Sequence, residues 1–185
     1  MRITGGDMRG RRYHTPRGRS IRPTPELVRE ALFNILPPVT GSTFLDLFAG
    51  SGIVGMEAMS RGAASATFIE RDGRVAMAIR ENLLKCGWEQ HCDVLVLSVE
   101  RGIHFIEASS KTYEIVFCDP PYEHGWVIRT LQTLSESSVI AERGLLAVQH
   151  SVREDIAERD AGNFVLHDRH VYGDTIITIL GRENL

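Results

Sequence analysis

From residue 43 onward, short apolar runs alternate with amphipathic stretches, and no other feature of the chain restricts its fold as much. Residues 43–48, 65–70, 93–97, 113–119 and 144–149 are apolar or β-branched runs of strand length. Between them, residues 52–61, 74–85, 100–108 and 125–134 carry apolar residues at helical spacing, and a short helix is expected near 152–159. Residues 164–171 and 175–180 read as a closing hairpin turned at Tyr172-Gly173-Asp174. Regular strand–helix alternation implies an α/β fold with a mainly parallel sheet covered on both faces. In such sheets ligands sit beyond the C-terminal ends of the strands. The residues that follow each strand therefore carry the functional expectations.

The first strand runs into Asp46-Leu47-Phe48-Ala49-Gly50-Ser51-Gly52-Ile53-Val54-Gly55. Gly50, Gly52 and Gly55 satisfy G-x-G-x-x-G between a strand and a helix, a spacing that permits a tight turn and close backbone approach to a ligand. The spacing alone also suits a dinucleotide. Asp46 argues against that ligand, because a carboxylate near the strand's end repels a pyrophosphate. S-adenosylmethionine brings an ammonium and a sulfonium, which a carboxylate attracts. Glu70 ends the second strand, where its carboxylate can accept both ribose hydroxyls. At the end of the third strand, Ser98 and the N–H of Val99 are the candidates for the adenine ring. The expected cofactor site comprises Asp46, Phe48, Ala49, Gly50, Ser51, Gly52, Gly55, Glu70, Arg71, Ser98 and Val99.

The fourth strand ends in Asp119-Pro120-Pro121-Tyr122. Two prolines fix φ and remove two N–H donors, leaving the Asp119 carboxylate and the Pro120 carbonyl as outward acceptors. Tyr122 adds an aromatic face. The set suits a planar amine, with its two N–H bonds on the acceptors and its ring on the tyrosine. Such an amine is a poor nucleophile until hydrogen bonds to both N–H groups raise the electron density on nitrogen. Asp119, Pro120 and Tyr122 are the expected catalytic residues, with Pro121 beside the substrate.

The N-terminal segment has a different character. Residues 1–22 hold Arg2, Arg9, Arg11, Arg12, Arg17, Arg19 and Arg22 against the single acid Asp7. That segment carries +6, so the other 163 residues carry −9 of the net −3. A basic segment on an acidic body suggests a polyanion partner. Residues 1–14 suggest a hairpin and residues 15–22 a turn-rich linker. Thr24 is the expected N-cap of a helix with Pro25 at its first position, stopped by Pro37-Pro38. Cys86, Cys92 and Cys118 form no C-x-x-C pair and read as free thiols. The seven histidines form no metal-like cluster, and His167 and His170 read as structural. No apolar run is long enough to span a membrane and no apolar core follows the N-terminal arginines, so a cytoplasmic protein is expected.

With these motifs together, the chain resembles the RsmD family of bacterial 16S ribosomal RNA guanine-N2 methyltransferases. The resemblance covers most of the chain: Arg2-Ile3-Thr4-Gly5-Gly6, Arg9-Gly10-Arg11, Arg22-Pro23-Thr24, Val28-Arg29-Glu30, Leu32-Phe33-Asn34, Asp46 through Gly55, and Asp119 through Tyr122. It implies a seven-stranded class I, Rossmann-like methyltransferase fold with a C-terminal antiparallel hairpin and a small N-terminal extension. It implies cofactor contacts at Asp46, Gly50, Gly52 and Glu70, and Asp119, Pro120 and Tyr122 around the base. It also implies a substrate of 16S ribosomal RNA within a small-subunit assembly particle. Ser98 departs from the amide or acid that the pattern prefers.

On this reading residues 1–24 are a basic arm and residues 25–185 the methyltransferase domain, acting as a monomer. Arg9, Arg11, Arg12, Arg17, Arg19 and Arg22 hold RNA phosphates while the loop takes one base. Three alternatives remain at this point: an N6-adenine DNA methyltransferase, a glutamine-N5 protein methyltransferase, and a non-catalytic RNA-binding assembly factor.

Overall fold

The computed structural model describes residues 1–13, 24–157 and 160–182. The chain divides into two compact units, Met1–Ser98 and Val99–Leu185.

The first unit opens with a narrow hairpin. Arg2 bridges Arg12 in antiparallel fashion, and the N–H groups of Ile3 and Tyr13 donate to the carbonyls of Arg11 and Met1. Ile3 and Tyr13 are buried while Arg2, Arg9, Arg11 and Arg12 stay exposed, so the hairpin has an apolar inner side and a basic outer one. The hairpin expected over 1–14 is thus present over its described part. The expected linker at 15–22 lies outside the described residues.

Helix α1 (Glu26–Ile35) buries Val28, Leu32 and Phe33 and stops before the two prolines. Its start differs by one residue from expectation. The Pro25 carbonyl accepts the N–H of Arg29 at 3.0 Å, which makes Pro25 the cap and Glu26 the first helical residue. An extended ψ of 146° at Pro25 keeps it outside the helix.

Three parallel strands follow, β1 (Thr43–Asp46), β2 (Ser65–Ile69) and β3 (Cys92–Leu95), in the order β3-β2-β1. Helix α2 (Ile53–Ser60) connects β1 to β2 and is buried on every side, as expected of a helix with no polar stripe. A Cβ on Gly55 would overlap the Phe68 ring, so glycine there lets α2 lie close on β2. Helix α3 (Gly73–Cys86) is amphipathic and starts on an Asp72 carboxylate that accepts from the N–H groups of Arg74 and Val75.

The second unit contains α4 (Val99–Ala108), β4 (Tyr113–Cys118), α5 (Trp126–Ser135), β5 (Ile140–Ser151), β6 (Phe164–Tyr172) and β7 (Thr175–Arg182). Strand β5 runs parallel to β4 and antiparallel to β7, which pairs antiparallel with β6. Over the described residues the strand order is β3-β2-β1-β4-β5-β7-β6, a seven-stranded mixed sheet.

Two expectations for this unit need correction. Strand β5 begins at Ile140, before the expected position 144, because Ile140 already pairs with Tyr113 ahead of a register shift. The helix expected near 152–159 is absent among its described residues. There the Val152 N–H donates to the Asp174 carbonyl and the Glu154 N–H to Ser151, so the chain turns against β7. Residues 158 and 159 lie outside the described residues.

Candidate active site

The glycine turn is held by two acids acting on the main chain. Asp46, the last residue of β1, is 1% exposed, and its Oδ2 accepts from the Gly55 N–H at 3.3 Å. Its first effect is to fix the turn. Glu70 follows β2 directly. Its Oε2 accepts from the Gly50 N–H at 2.9 Å and its Oε1 from the Asp72 N–H at 2.7 Å. Gly52 sits at φ 74°, in the left-handed region that a side chain would disfavour, and its carbonyl accepts from the Met56 N–H to begin α2. The N–H of Gly52 donates to the Ala49 carbonyl at 2.6 Å, closing the turn.

This donor and acceptor set fits a nucleoside. Each Glu70 oxygen accepts one backbone N–H, which sets the carboxylate plane and leaves lone pairs for a pair of vicinal hydroxyls. Phe48 and Gly50 are half-buried, Ala49, Ser51, Gly52 and Gly55 are buried, and Arg71 is exposed. Ser98 lies three residues beyond the end of β3, directly before Val99, the first residue of α4.

The second motif lies wholly in the second unit. Buried strand β4 delivers a half-buried Asp119, a buried Pro120, an exposed Pro121 and a half-buried Tyr122. The Tyr122 phenol reaches two polar groups of the sheet, the Gln149 amide at 3.2 Å and the Thr175 hydroxyl at 3.4 Å. Glu123 follows at φ 63° and is paired with Arg153 at 3.1 Å. Sequence reasoning missed Gln149 and Thr175. The available signal was a polar residue that interrupts the apolar run Leu145-Leu146-Ala147-Val148 at the C-terminal end of a strand.

The N-terminal hairpin is anchored by a residue that sequence reasoning also missed. Glu57, fully buried in α2, accepts from the Thr4 N–H and hydroxyl, the Gly5 N–H, Arg29 Nε and Arg61 Nε at 2.7–3.1 Å. Burial pushes its carboxyl up, but the bonds from Thr4 and Arg61 and the charge of Arg29 hold it below the usual range. Arg29, itself buried, also donates to the carbonyls of Arg2 and Thr24. At Gly6, φ is 74° and the Ser60 carbonyl leaves no space for a side chain. An acid at position 57 within an otherwise apolar helix was the readable sign.

The sequence-expected arginines now separate. Arg11 donates to the Lys85 carbonyl and so helps to dock the hairpin, while Arg9 and Arg12 are exposed on it. Arg17, Arg19 and Arg22 lie outside the described residues. All three cysteines are free thiols. Among the described residues no group of His, Cys, Asp and Glu could hold a metal, and no helix is long and apolar enough to cross a membrane.

A glycine turn after β1, a carboxylate directly after β2, and a sheet whose last strand in sequence, β7, inserts antiparallel between β5 and β6 define a class I S-adenosylmethionine-dependent methyltransferase fold. A family model described as "Conserved hypothetical protein 95" matches residues 1–181. The chain is 37% identical over 186 residues to ribosomal RNA small subunit methyltransferase D of Escherichia coli (strain K12), covering 99% of this chain and 90% of that protein. It is 35% identical to the protein of the same name from Haemophilus influenzae, over 80% of this chain and 78% of the relative. A solved structure of a hypothetical protein from Thermus thermophilus superposes with a TM-score of 0.83 at 32% identity, covering 98% of this chain and 99% of that one. The chain belongs to the ribosomal RNA small subunit methyltransferase D family.

Proposed function

We propose that this protein transfers a methyl group from S-adenosylmethionine to the exocyclic N2 of a guanine in 16S ribosomal RNA. The observation that carries the proposal is the pairing of motifs in one chain of this family: an acid-braced glycine turn with Glu70, and the Asp119-Pro120-Pro121-Tyr122 loop. The relatives named ribosomal RNA small subunit methyltransferase D support the substrate class. They also favour this reading over the DNA, glutamine and non-catalytic alternatives.

The cofactor supplies an electrophilic methyl group on a sulfonium. Glu70 would hold the ribose hydroxyls, and the glycine turn would let the backbone approach the ligand closely. Asp46 keeps that turn in shape, and its carboxylate would attract a cationic ligand. Ser98 and the Val99 N–H would hold the adenine. In the second unit, the Asp119 carboxylate and Pro120 carbonyl accept the two N–H bonds of the guanine amine, which raises the electron density on nitrogen and directs its lone pair. Tyr122 stacks on the unstacked base, offsetting part of the few kcal/mol needed to extrude it. Positioning and electrostatics are the main catalytic effects. Asp119 takes the departing proton, directly or through water.

Arg9 and Arg12, with Arg17, Arg19 and Arg22 of the following segment, hold RNA phosphates, and residues 1–24 act as the RNA-holding arm of domain 25–185. Arg11 contributes chiefly by docking the hairpin. The working form is a cytoplasmic monomer, and its substrate is a small-subunit assembly particle with proteins bound.

The deciding experiment maps methylated nucleotides in 16S ribosomal RNA from cells with and without the protein. The purified protein is then given small-subunit particles from the deficient cells and a labelled methyl donor. The expected result is one missing guanine N2 methyl group that the protein restores. A complete methylation pattern in the deficient cells would refute the proposal.

A further inference from the structure

We infer that Gln149 and Thr175 are positioning residues that set the Tyr122 ring, and that they act on catalysis through its phenol. The inference rests on the reading of the loop at 119–122 as the amine-binding loop. It begins from sheet register. Gln149 pairs with Ile177 and Ser151 with Thr175 across the antiparallel β5–β7 ladder. Side chains two apart on a strand share a face, so Gln149 and Thr175 are diagonal neighbours on one face. They sit where β5 ends and β7 begins. The Tyr122 hydroxyl lies against both, at 3.2 Å from the Gln149 amide and 3.4 Å from Thr175 Oγ1.

The residues chosen there are hard to explain by packing. Leu146, Ala147 and Val148 are fully buried, and an apolar residue at 149 would continue that run. Instead the position holds a carboxamide that is 3% exposed and whose Oε1 has no hydrogen-bond partner. A buried polar atom left unsatisfied is unfavourable. The bond to the phenol is what the amide provides in return, and it survives a flip of the amide, since Oε1 would then accept from the phenol O–H.

Beside the loop, Glu123 pairs with Arg153. The members of this pair are 50% and 77% exposed, so solvent screens it and it restrains little. The phenol contact, made to the buried Gln149 and Thr175, is the stronger of these two anchors. Stacking on a base needs a ring in a fixed plane, and prolines at 120 and 121 restrain the backbone before Tyr122 without setting its side-chain torsions. Gln149 and Thr175 restrain the ring through its hydroxyl.

The test is a double-mutant cycle measured on small-subunit particles. Gln149→Met keeps the volume and removes the hydrogen bond. Tyr122→Phe keeps the ring and removes the hydroxyl. Each is expected to lower kcat about three- to tenfold, with little change in KM for the particle or in donor affinity. The double variant should be no worse than the poorer single variant, because both remove the same contact. Thr175→Ser should retain activity and Thr175→Val should lose part of it.

Multiplicative losses in the double variant would overturn the inference, and so would wild-type kcat in Gln149→Met. A second readout needs no turnover: the Tyr122 ring carbon bearing the hydroxyl, observed by NMR with labelled tyrosine, should shift in Gln149→Met. An unmoved signal would also overturn it. Wild-type protein inactive on every particle, with the NMR shift present, would instead refute the functional reading and leave the phenol contact standing.

Discussion

The turn after β1 and the loop after β4 both follow the end of a buried strand, yet they are stabilised by opposite means. At the first, side-chain carboxylates grip the main chain: Asp46 holds the Gly55 N–H and Glu70 holds the Gly50 N–H. At the second, prolines restrict the main chain and a side chain, Tyr122, grips the sheet through Gln149 and Thr175. The first arrangement suits a ligand met by backbone and carboxylate. The second suits a flat ring met by another ring. Damage to the first should appear as lost donor affinity or lost stability, and damage to the second as lost turnover.

The sharpest separation comes from Asp119→Ala. It should lower kcat roughly 100- to 1,000-fold while donor affinity, read by calorimetry, stays at the wild-type value. A parallel loss of donor affinity would break the distinction between the two loops. Glu70→Ala should behave in the converse way, weakening donor binding about 10- to 100-fold through loss of the hydroxyl contacts and of the Gly50 anchor. Gly55→Ala should cost about 1–3 kcal/mol in urea unfolding, since the added methyl group overlaps Phe68. Substituting Arg9 and Arg12 with glutamine tests a region outside both loops. It should weaken particle binding and reduce the salt slope by about 1.5, leaving donor affinity unchanged.

A further test, read against pH, concerns the buried Glu57. Its carboxyl is depressed in the folded protein, so its stabilising contribution is complete above the ordinary value of 4.5 and is lost as pH falls through the lower folded value. Acid unfolding followed by fluorescence should show Glu57→Gln less stable at pH 7 and less sensitive to acid than the wild type.

Short-range features were legible in the sequence. The strand and helix alternation placed every element of the sheet, and the two loops were readable because each is a contiguous motif at a strand end. Long-range pairings were not. The bonds from Thr4 to Glu57 and from Gln149 to Tyr122 join residues 53 and 27 positions apart, and no local pattern encodes them. Each left only a polar residue in an apolar run. The expected helix after β5 failed for a similar reason. Its segment has helical composition, but Val152 is drawn to the Asp174 carbonyl of the β6–β7 turn. The Arg2-Ile3-Thr4-Gly5-Gly6 segment, which carried much of the family resemblance, is explained chiefly by docking: Ile3 is buried, and Thr4 and Gly5 bond to Glu57.

Helix α2 joins these observations. One end starts at the glycine turn, and near the other Glu57 and Ser60 hold the N-terminal hairpin. Eight residues at 1.5 Å each make a rod of about 12 Å. Since the rod is buried on every side, its length cannot change without disturbing the core. It works as a gauge block: whatever lies against the hairpin is held at a set distance from whatever occupies the turn. A one-residue insertion in α2 would rotate the hairpin's attachment by about 100° around the helix, so the span and the bearing of the hairpin are fixed together.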